Sequence, residues 1–248
     1  MAERCDKAIR AASFDSVAEV YEAVRPSYPA QAVDWLVPAN AARVADVGAG
    51  TGKFTRLLAH SGRHVIAIDP SPRMLEVLSR SLPLVDVHEG TAERIPLADA
   101  SVDALTFAQA WHWVYKEPAS LEAGRVLRPG GALGLIWNLR DERVDWMREL
   151  GVAMHADGDQ FTDGENDPDV RSPFGEPQRA QFEWSAECTL EGLIDLVRSR
   201  SYFAVMSADG QRDTLAAVRT LIQTHPQTAG RDTIALPYVT VCFRYRRP

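Results

Sequence analysis

Val44-Ala-Asp-Val-Gly-Ala-Gly-Thr-Gly-Lys-Phe-Thr55 is the stretch that decides the fold. Apolar residues surround Asp46, glycines follow at alternate positions, and apolar residues then recur at helical spacing from Phe54. This pattern predicts a buried strand, a tight turn that leaves bare backbone, and a helix whose N-terminus faces a ligand. The next apolar run, His64–Asp69, ends in a carboxylate placed to accept both hydroxyls of a ribose. The chain is therefore expected to bind a nucleoside-containing cofactor.

Composition and charge exclude several classes of function. The net charge of -7 and the sequence pI of 5.4 argue against a nucleic-acid binder, which needs a basic face. The sequence has no long charge-free apolar run, which argues against a membrane span. Cys5, Cys188 and Cys242 are too scattered for a disulfide framework or a zinc site. We expect a cytoplasmic protein with no metal.

Strand and helix patterns alternate along the chain, which predicts an α/β doubly wound fold with the ligand at the carboxyl ends of the strands. The predicted strands are 43–47, 64–69, 84–88, 102–108, 131–138, 181–185 and 238–245, and the predicted helices are 16–24, 29–36, 52–61, 71–81, 117–126, 190–200 and 211–224. The acidic stretch 155–176 is expected to be a solvated loop. We predict a single domain over 1–248, with lid helices in 1–40 and a helical insertion at about 141–225 that contributes to an acceptor pocket.

The glycine spacing indicates which cofactor binds. Dinucleotide-binding proteins have G-x-G-x-x-G, whereas here the spacing is G-x-G-x-G after Asp46. This pattern resembles motif I of the class I S-adenosylmethionine-dependent methyltransferases. Three later segments resemble further motifs of that class, in the same order: Gly90-Thr-Ala-Glu-Arg-Ile-Pro-Leu97, Phe107-Ala-Gln-Ala-Trp-His-Trp113 and Arg125-Val-Leu-Arg-Pro-Gly-Gly131. Residues 14–29, 199–202 and 236–238 resemble the small-molecule branch that includes trans-aconitate methyltransferase-like proteins.

The resemblance implies a Rossmann-like methyltransferase fold: a mostly parallel, seven-stranded sheet with an antiparallel last strand. It implies S-adenosyl-L-methionine as the cofactor, with the glycine turn under its methionine and ribose parts and Asp69 on the ribose. Met74 either packs on the adenine or fills the core. The backbone carbonyl of Gln109 would meet the methionine amino group. The implied cofactor-binding residues are Asp46, Gly48, Ala49, Gly50, Gly52, Asp69, Pro70, Met74, Ala92, Glu93, Gln109 and Ala110.

Candidate catalytic residues follow the fourth predicted strand. Two aromatics two residues apart on a strand end share a face, so Trp111 or Trp113 is expected to line the pocket beside the sulfonium. His112 is either a general base or a structural histidine. Tyr21 lies one helical turn before Arg25, on a lead segment (1–28) expected to act as a lid.

Candidate acceptor-binding residues are Arg25, Trp113, Arg140 and Tyr202. Arg25 would meet a carboxylate of the cofactor or the acceptor, unless it belongs to an ordinary surface pair. Arg140 lies just after the fifth predicted strand, either at the mouth of the site or as a solvated loop arginine.

The expected reaction is methyl transfer to oxygen of a small organic molecule, with a carboxylate as the first candidate. There are three alternatives. The chain could be an enzyme that uses the same cofactor differently, for example for cyclisation; a non-enzymatic cofactor sensor; or a nicotinamide oxidoreductase. The oxidoreductase is disfavoured because this sequence lacks the G-x-G-x-x-G spacing of dinucleotide-binding proteins. A base-modifying nucleic-acid methyltransferase is disfavoured, because the fourth motif lacks the Asn/Asp-Pro-Pro-aromatic signature. The sequence leaves acceptor identity and oligomeric state open.

Overall fold

The structure is a computed structural model, and it describes residues 25–60, 62–154 and 168–248. The predicted helix 16–24, Tyr21, most of the predicted lid and most of the acidic loop lie outside the described residues. None of the helices in these described ranges is long and apolar enough to cross a membrane.

A seven-stranded sheet forms the centre of the fold, in the order β3-β2-β1-β4-β5-β7-β6. Strands β1 to β5 pair in parallel, and β7 lies antiparallel between β5 and β6. The strands are β1 Arg43–Val47, β2 His64–Asp69, β3 Asp86–Glu89, β4 Val102–Ala108, β5 Leu127–Arg140, β6 Gln178–Cys188 and β7 Ile234–Arg246. The doubly wound, mostly parallel sheet with an antiparallel last strand is confirmed. Strand order reverses between β1 and β4, which is where such sheets bind ligands.

Eight α-helices lie within the described residues. They are α1 Ala30–Leu36, α2 Lys53–Ala59, α3 Pro72–Ser81, α4 Lys116–Val126, α5 Asp145–Ala153, α6 Leu190–Arg198, α7 Ser201–Ala204 and α8 Ala208–Thr224. Local capping explains several boundaries. The hydroxyls of Ser71, Thr189 and Ser207 each accept a backbone N–H one turn into the helix that follows.

Strand β5 begins earlier than predicted. Its first residues include Pro129, Gly130 and Gly131, which the sequence favours as a turn. The register between β4 and β5 shifts at this point, since Val102 pairs with Leu127 and Ala104 with Ala132. The Gly130 N–H donates to the Arg247 carbonyl at 3.0 Å, and the Arg247 N–H donates to the Gly131 carbonyl at 2.9 Å. Pairing with Arg247, the residue after β7, therefore holds this Pro-Gly segment at the end of the sheet as an irregularity.

The chain divides into two compact units. The sheet unit consists of described residues 27–60, 62–138, 168–182 and 240–248; the helical unit consists of 25–26, 139–154 and 183–239. In the sheet unit, Leu36 of α1 packs so closely on β5 that a Cβ at Gly134 would lie 2.6 Å from its Cγ. In the helical unit, α6 buries Leu193, Ile194 and Val197 along one face. Burial of each stabilises the fold by about 1.5–3 kcal/mol.

Candidate functional site

The glycine turn connects β1 to α2, and its three glycines have different surroundings. Gly48, Gly50 and Gly52 all have positive φ, at 70°, 55° and 93°. A Cβ on Gly48 would lie 2.6 Å from Ala110 Cβ, and one on Gly52 would lie 2.8 Å from Leu78 Cγ. A Cβ on Gly50 would meet no atom within 4 Å among the described residues. Among the described residues, bare backbone at Gly50 therefore leaves room for a ligand lying against the turn.

Asp69 ends β2 and is bound to the glycine turn. Its Oδ2 accepts the Gly50 N–H at 2.8 Å, and its Oδ1 accepts the Ser71 N–H at 2.9 Å. The residue is 8% exposed. A carboxylate oxygen can accept more than one hydrogen bond, so this group can hold the turn and bind ribose hydroxyls at once. Pro70, the next residue, is exposed, whereas Ala49 in the turn is buried.

Asp46 lies beneath the turn and is fully buried. Its two carboxylate oxygens accept the hydroxyls of Thr55 at 2.7 Å and Thr106 at 2.9 Å. Burial raises the pKa of Asp46 to about 7; the charge of Asp69 adds to this, and the two hydroxyl bonds oppose it. The side chain thus connects β1 to α2 and β4. A part for Asp46 in cofactor binding, through support of the turn, stays a prediction.

Met74, Ala92 and Glu93 lie in the sheet unit, after the second and third strands. Met74 is 5% exposed in the first turn of α3, and Ala92 is also buried. The Glu93 carboxylate accepts the N–H of Tyr115 at 2.8 Å. A contact of these residues with an adenine stays a prediction.

Gln109 follows β4 with a positive φ of 54°, which is uncommon for a residue with a side chain. Its N–H donates to the Ile136 carbonyl at 2.9 Å, and its side-chain amide donates to the Asn138 carbonyl at 3.1 Å. Asn138 in turn donates to the Ser27 carbonyl and accepts the Thr240 hydroxyl. The Gln109 amide thus joins the ends of β4 and β5, and the Asn138 amide joins β5 to Ser27 and to β7. Asn138 carries no motif signal and is absent from the residues predicted at the site.

Trp111 and Trp113 are not on a strand end, so the prediction that they share a face was wrong. That one of them lines the pocket stays a prediction. Residues Trp111–Trp113 form a 3₁₀ turn after β4, with Trp111 fully buried and Trp113 partly exposed. In a 3₁₀ turn, residues two apart do not share a face. Trp111 packs edge-on against Phe107 at 4.9 Å between ring centroids, which argues for a core role. Ala110, before the turn, is buried against Gly48.

His112 is partly buried and contacts two tryptophans. Its ring centroid is 4.9 Å from that of Trp113. The indole N–H of Trp137 lies 3.4 Å from His112 Nδ1. Because an indole N–H can only donate, Nδ1 is the acceptor, and a neutral ring then carries its proton on Nε2.

Arg25, Arg140 and Tyr202 all belong to the helical unit. Arg140 ends β5 and its side chain is only 19% exposed, so it is not a solvated loop arginine. Its Nη2 lies 3.5 Å from Glu142 Oε1. Arg25 donates from Nη2 to the Ser199 carbonyl at 2.9 Å, and Tyr202 lies in α7. Within the part of the chain that the structure describes, no group of three or more His, Cys, Asp or Glu is arranged to hold a metal ion.

Sequence comparison identifies relatives along almost the whole chain. Residues 45–135 match the methyltransferase domain family. An uncharacterised methyltransferase of Mycobacterium tuberculosis is 52% identical over 240 residues, covering 97% of this chain and 98% of the relative. An uncharacterised methyltransferase-like protein of Schizosaccharomyces pombe is 36% identical, covering 90% of this chain and 91% of the relative.

Structural comparison gives the same fold. A protein of Anaeromyxobacter dehalogenans, described as a candidate type II methyltransferase, superposes with a TM-score of 0.67 at 23% identity. The match covers 91% of this chain and 98% of that protein. Four findings indicate the same family. They are the order of the motifs, the order of the strands, the glycine turn bonded to Asp69, and relatives matched over almost their whole length. The chain belongs to the class I S-adenosylmethionine-dependent methyltransferases, with S-adenosylmethionine as its cofactor.

Proposed function

We propose that this methyltransferase acts on oxygen of a small organic molecule, and that the acceptor is a carboxylate. S-adenosylmethionine supplies a methyl group on a positively charged sulfur that is already activated for transfer. The protein then has to bind the donor, align the acceptor and exclude water. The Gly50 backbone and Asp69 would bind the donor. Gln109 would position the segment that follows β4.

The observation that carries the proposal is the hydrogen bond between Trp137 and His112. This bond occupies Nδ1. When Nε2 of a neutral histidine carries the proton, Nδ1 is the ring nitrogen that can accept another. His112 was the candidate general base. A carboxylic acid of pKa about 4 is ionised at neutral pH and needs no base, whereas an alcohol or a phenol does.

Arg25 and Arg140 are the proposed ligands of the acceptor carboxylate. A guanidinium presents N–H donors in a planar fork that matches the two oxygens of a carboxylate. Trp113 and Tyr202 stay proposed acceptor contacts, and Tyr21 stays a proposed catalytic residue outside the described residues. The acidic stretch 155–176 opposes this proposal, since its seven carboxylates would repel an anion if it covered the site.

The test is a panel of acceptors, each incubated with the full-length protein and S-adenosylmethionine. The panel contains monocarboxylic, dicarboxylic and tricarboxylic acids, phenols, alcohols and primary amines. Mass spectrometry of the product detects the gain of one CH₂, and alkaline hydrolysis separates methyl esters from ethers. Methyl esters are the expected products. Methylation of phenols or amines alone would contradict the carboxylate proposal, and donor consumption without a methylated product would indicate a different use of the cofactor.

A further inference from the structure

The side chain of Gln109 continues the sheet where the backbone of β4 leaves it. In a parallel pair, every second residue of one strand donates its N–H to the neighbouring strand. The Gln109 N–H donates to the Ile136 carbonyl at 2.9 Å. If β4 continued, the N–H of Trp111 would be the next donor and the Asn138 carbonyl its acceptor. The chain instead enters the 3₁₀ turn, and the Gln109 side-chain amide donates to that carbonyl at 3.1 Å.

These two bonds hold Gln109 in a left-handed backbone conformation, with a φ of 54°. Residues with a side chain adopt this conformation rarely, and it persists where the surrounding structure fixes it. Both bonds end on β5. The direction of the Gln109 carbonyl, which is expected to meet the amino group of the donor's methionine part, therefore depends on the position of the end of β5.

The side chain of Asn138 fixes the end of β5 by two hydrogen bonds. Its Nδ2 donates to the Ser27 carbonyl at 2.8 Å, and its Oδ1 accepts the Thr240 hydroxyl at 2.6 Å. A carbonyl can only accept, which assigns the NH₂ group of the amide to Ser27 and its oxygen to Thr240. Thr240 is fully buried in β7. Only an amide serves both partners, because a carboxylate has no donor for Ser27 and an aliphatic side chain has neither group.

Ser27 precedes a residue that packs beside the glycine turn. The ring of Tyr28 lies edge-on against that of Phe54, with the centroids 5.1 Å apart. Phe54 is 2% exposed in the first turn of α2, directly after the glycine turn. The Asn138 amide therefore links the end of β5 to a segment that contacts the other half of the expected cofactor site. All of these residues belong to the sheet unit.

We propose that Asn138 is a positioning residue for the methyl donor. By fixing the end of β5 between Ser27 and Thr240, its amide sets the position of Gln109 and thereby the affinity for the amino-acid part of the cofactor. Asn138 does not have to touch the cofactor for this effect. The inference rests on the proposed function for one point, the part of Gln109 in binding the donor, and not on the identity of the methyl acceptor.

The experiment compares two ligands by isothermal calorimetry on the full-length protein. One is S-adenosylhomocysteine, and the other is its deaminated analogue, which keeps the adenine, ribose, sulfur and carboxylate and lacks only the amino group. We expect Asn138→Leu to weaken S-adenosylhomocysteine binding about 5-fold or more, the effect of about one neutral hydrogen bond. Binding of the analogue should change by less than about 2-fold, because the contact that Asn138 supports is already absent.

Three further variants define the link. Asn138→Asp keeps the bond from Thr240 and loses the donor to Ser27, so it should cause the same selective loss and serves if the leucine variant does not fold. Gln109→Met removes the side-chain donor to β5 and should also act selectively on S-adenosylhomocysteine. Asn40→Leu is the matched control, since Asn40 is exposed between α1 and β1 in the same unit. Circular dichroism and thermal melting check that each variant is folded.

The ratio of the two dissociation constants separates positioning from a purely structural role. A structural role would lower the melting temperature of the Asn138 variants and leave this ratio unchanged, which would overturn the proposal. Equal binding of the two ligands by the wild type, or no selective loss in Gln109→Met, would overturn it at its premise. No acceptor is present in these measurements. Failure here therefore leaves the carboxylate acceptor to be decided by the acceptor panel, and failure of that panel leaves this proposal standing.

Discussion

The Asp69 carboxylate and the Gly50 amide, 19 residues apart in sequence, are joined by a hydrogen bond of 2.8 Å. This bond connects the end of β2 to the turn after β1. It places the side chain expected to bind a ribose beside the backbone expected to lie against the ligand. The second oxygen of Asp69 accepts the Ser71 N–H, so the carboxylate is fixed from both sides.

Replacing Asp69 should remove both the ribose acceptor and the support of the turn. We expect Asp69→Ala to lower the affinity for S-adenosylhomocysteine at least about 10-fold, since each hydrogen bond to a charged group contributes about 1.5–3 kcal/mol. Calorimetry measures the loss. Asp86→Ala is the control, because Asp86 is an exposed carboxylate at the first residue of β3 that pairs with His64. Equal affinities in the two variants would refute the assigned role of Asp69.

Gly50→Ala should abolish cofactor binding without unfolding the protein. A Cβ at Gly50 meets no described atom within 4 Å, so the cost to the fold is the positive φ alone, about 1–2 kcal/mol. The methyl group would instead occupy the space in which the ligand lies. Gly62→Ala is a matched control, since Gly62 also has a positive φ and open surroundings. Both variants should melt at similar temperatures, and only Gly50→Ala should fail to bind S-adenosylhomocysteine. Normal binding by Gly50→Ala would show that the ligand does not contact this backbone.

Asp46 should make the fold less stable as the pH rises. Its folded pKa of about 7 lies above the ordinary value of 3.8. The folded state therefore holds a proton that the unfolded state has lost between these two pH values. Stability falls across this window by about 1.4 kcal/mol per pH unit from this group and levels off above the folded pKa.

Asp46→Asn removes this titration while an amide can still bond to the hydroxyls of Thr55 and Thr106. Urea unfolding of the wild type and the variant from pH 5 to pH 8 provides the test. The stability of the wild type relative to the variant should decline as the pH rises toward 7. A constant difference over this range would show that Asp46 is ionised throughout.

His112→Asn should keep most of the activity if the acceptor is a carboxylate. The Asn side chain can still accept the Trp137 indole N–H, and no proton has to be removed from an ionised acid. A decrease in kcat of about 10²–10⁴-fold would instead indicate general-base catalysis and an alcohol or phenol acceptor. Trp137→Phe separates the two cases further. Removal of the indole donor should raise the activity of a general base at Nδ1 but should be neutral for a carboxylate acceptor.

The cofactor half of the site could be predicted from sequence because it depends on local patterns. The glycine turn and Asp69 follow directly from strand ends, and the strand order of a doubly wound sheet brings them together. The surroundings of the three glycines could not be predicted. Only the packed structure shows that Gly48 faces Ala110, that Gly52 faces Leu78 and that no other described residue approaches a Cβ placed at Gly50.

The predictions that differ from the structure involve contacts between distant segments. Trp111 and Trp113 were expected to share a face, as on a strand end, but a 3₁₀ turn follows β4. Pro129 and Gly130 signal a turn, yet bonds to Arg247, just after β7, hold this segment in β5. The bond from Arg25 to the Ser199 carbonyl has no periodic signature, since the two residues are 174 positions apart.

The bond between Asp69 and Gly50 also has a kinetic consequence. The Asp69 carboxylate and the Gly50 backbone would contact the ribose and the neighbouring parts of the cofactor. The methyl donor and its demethylated product have these parts in common. Interactions made equally with both forms hold the product as firmly as the donor. We therefore expect strong competition by S-adenosylhomocysteine, so that the rate of methylation depends on how fast other enzymes remove this product.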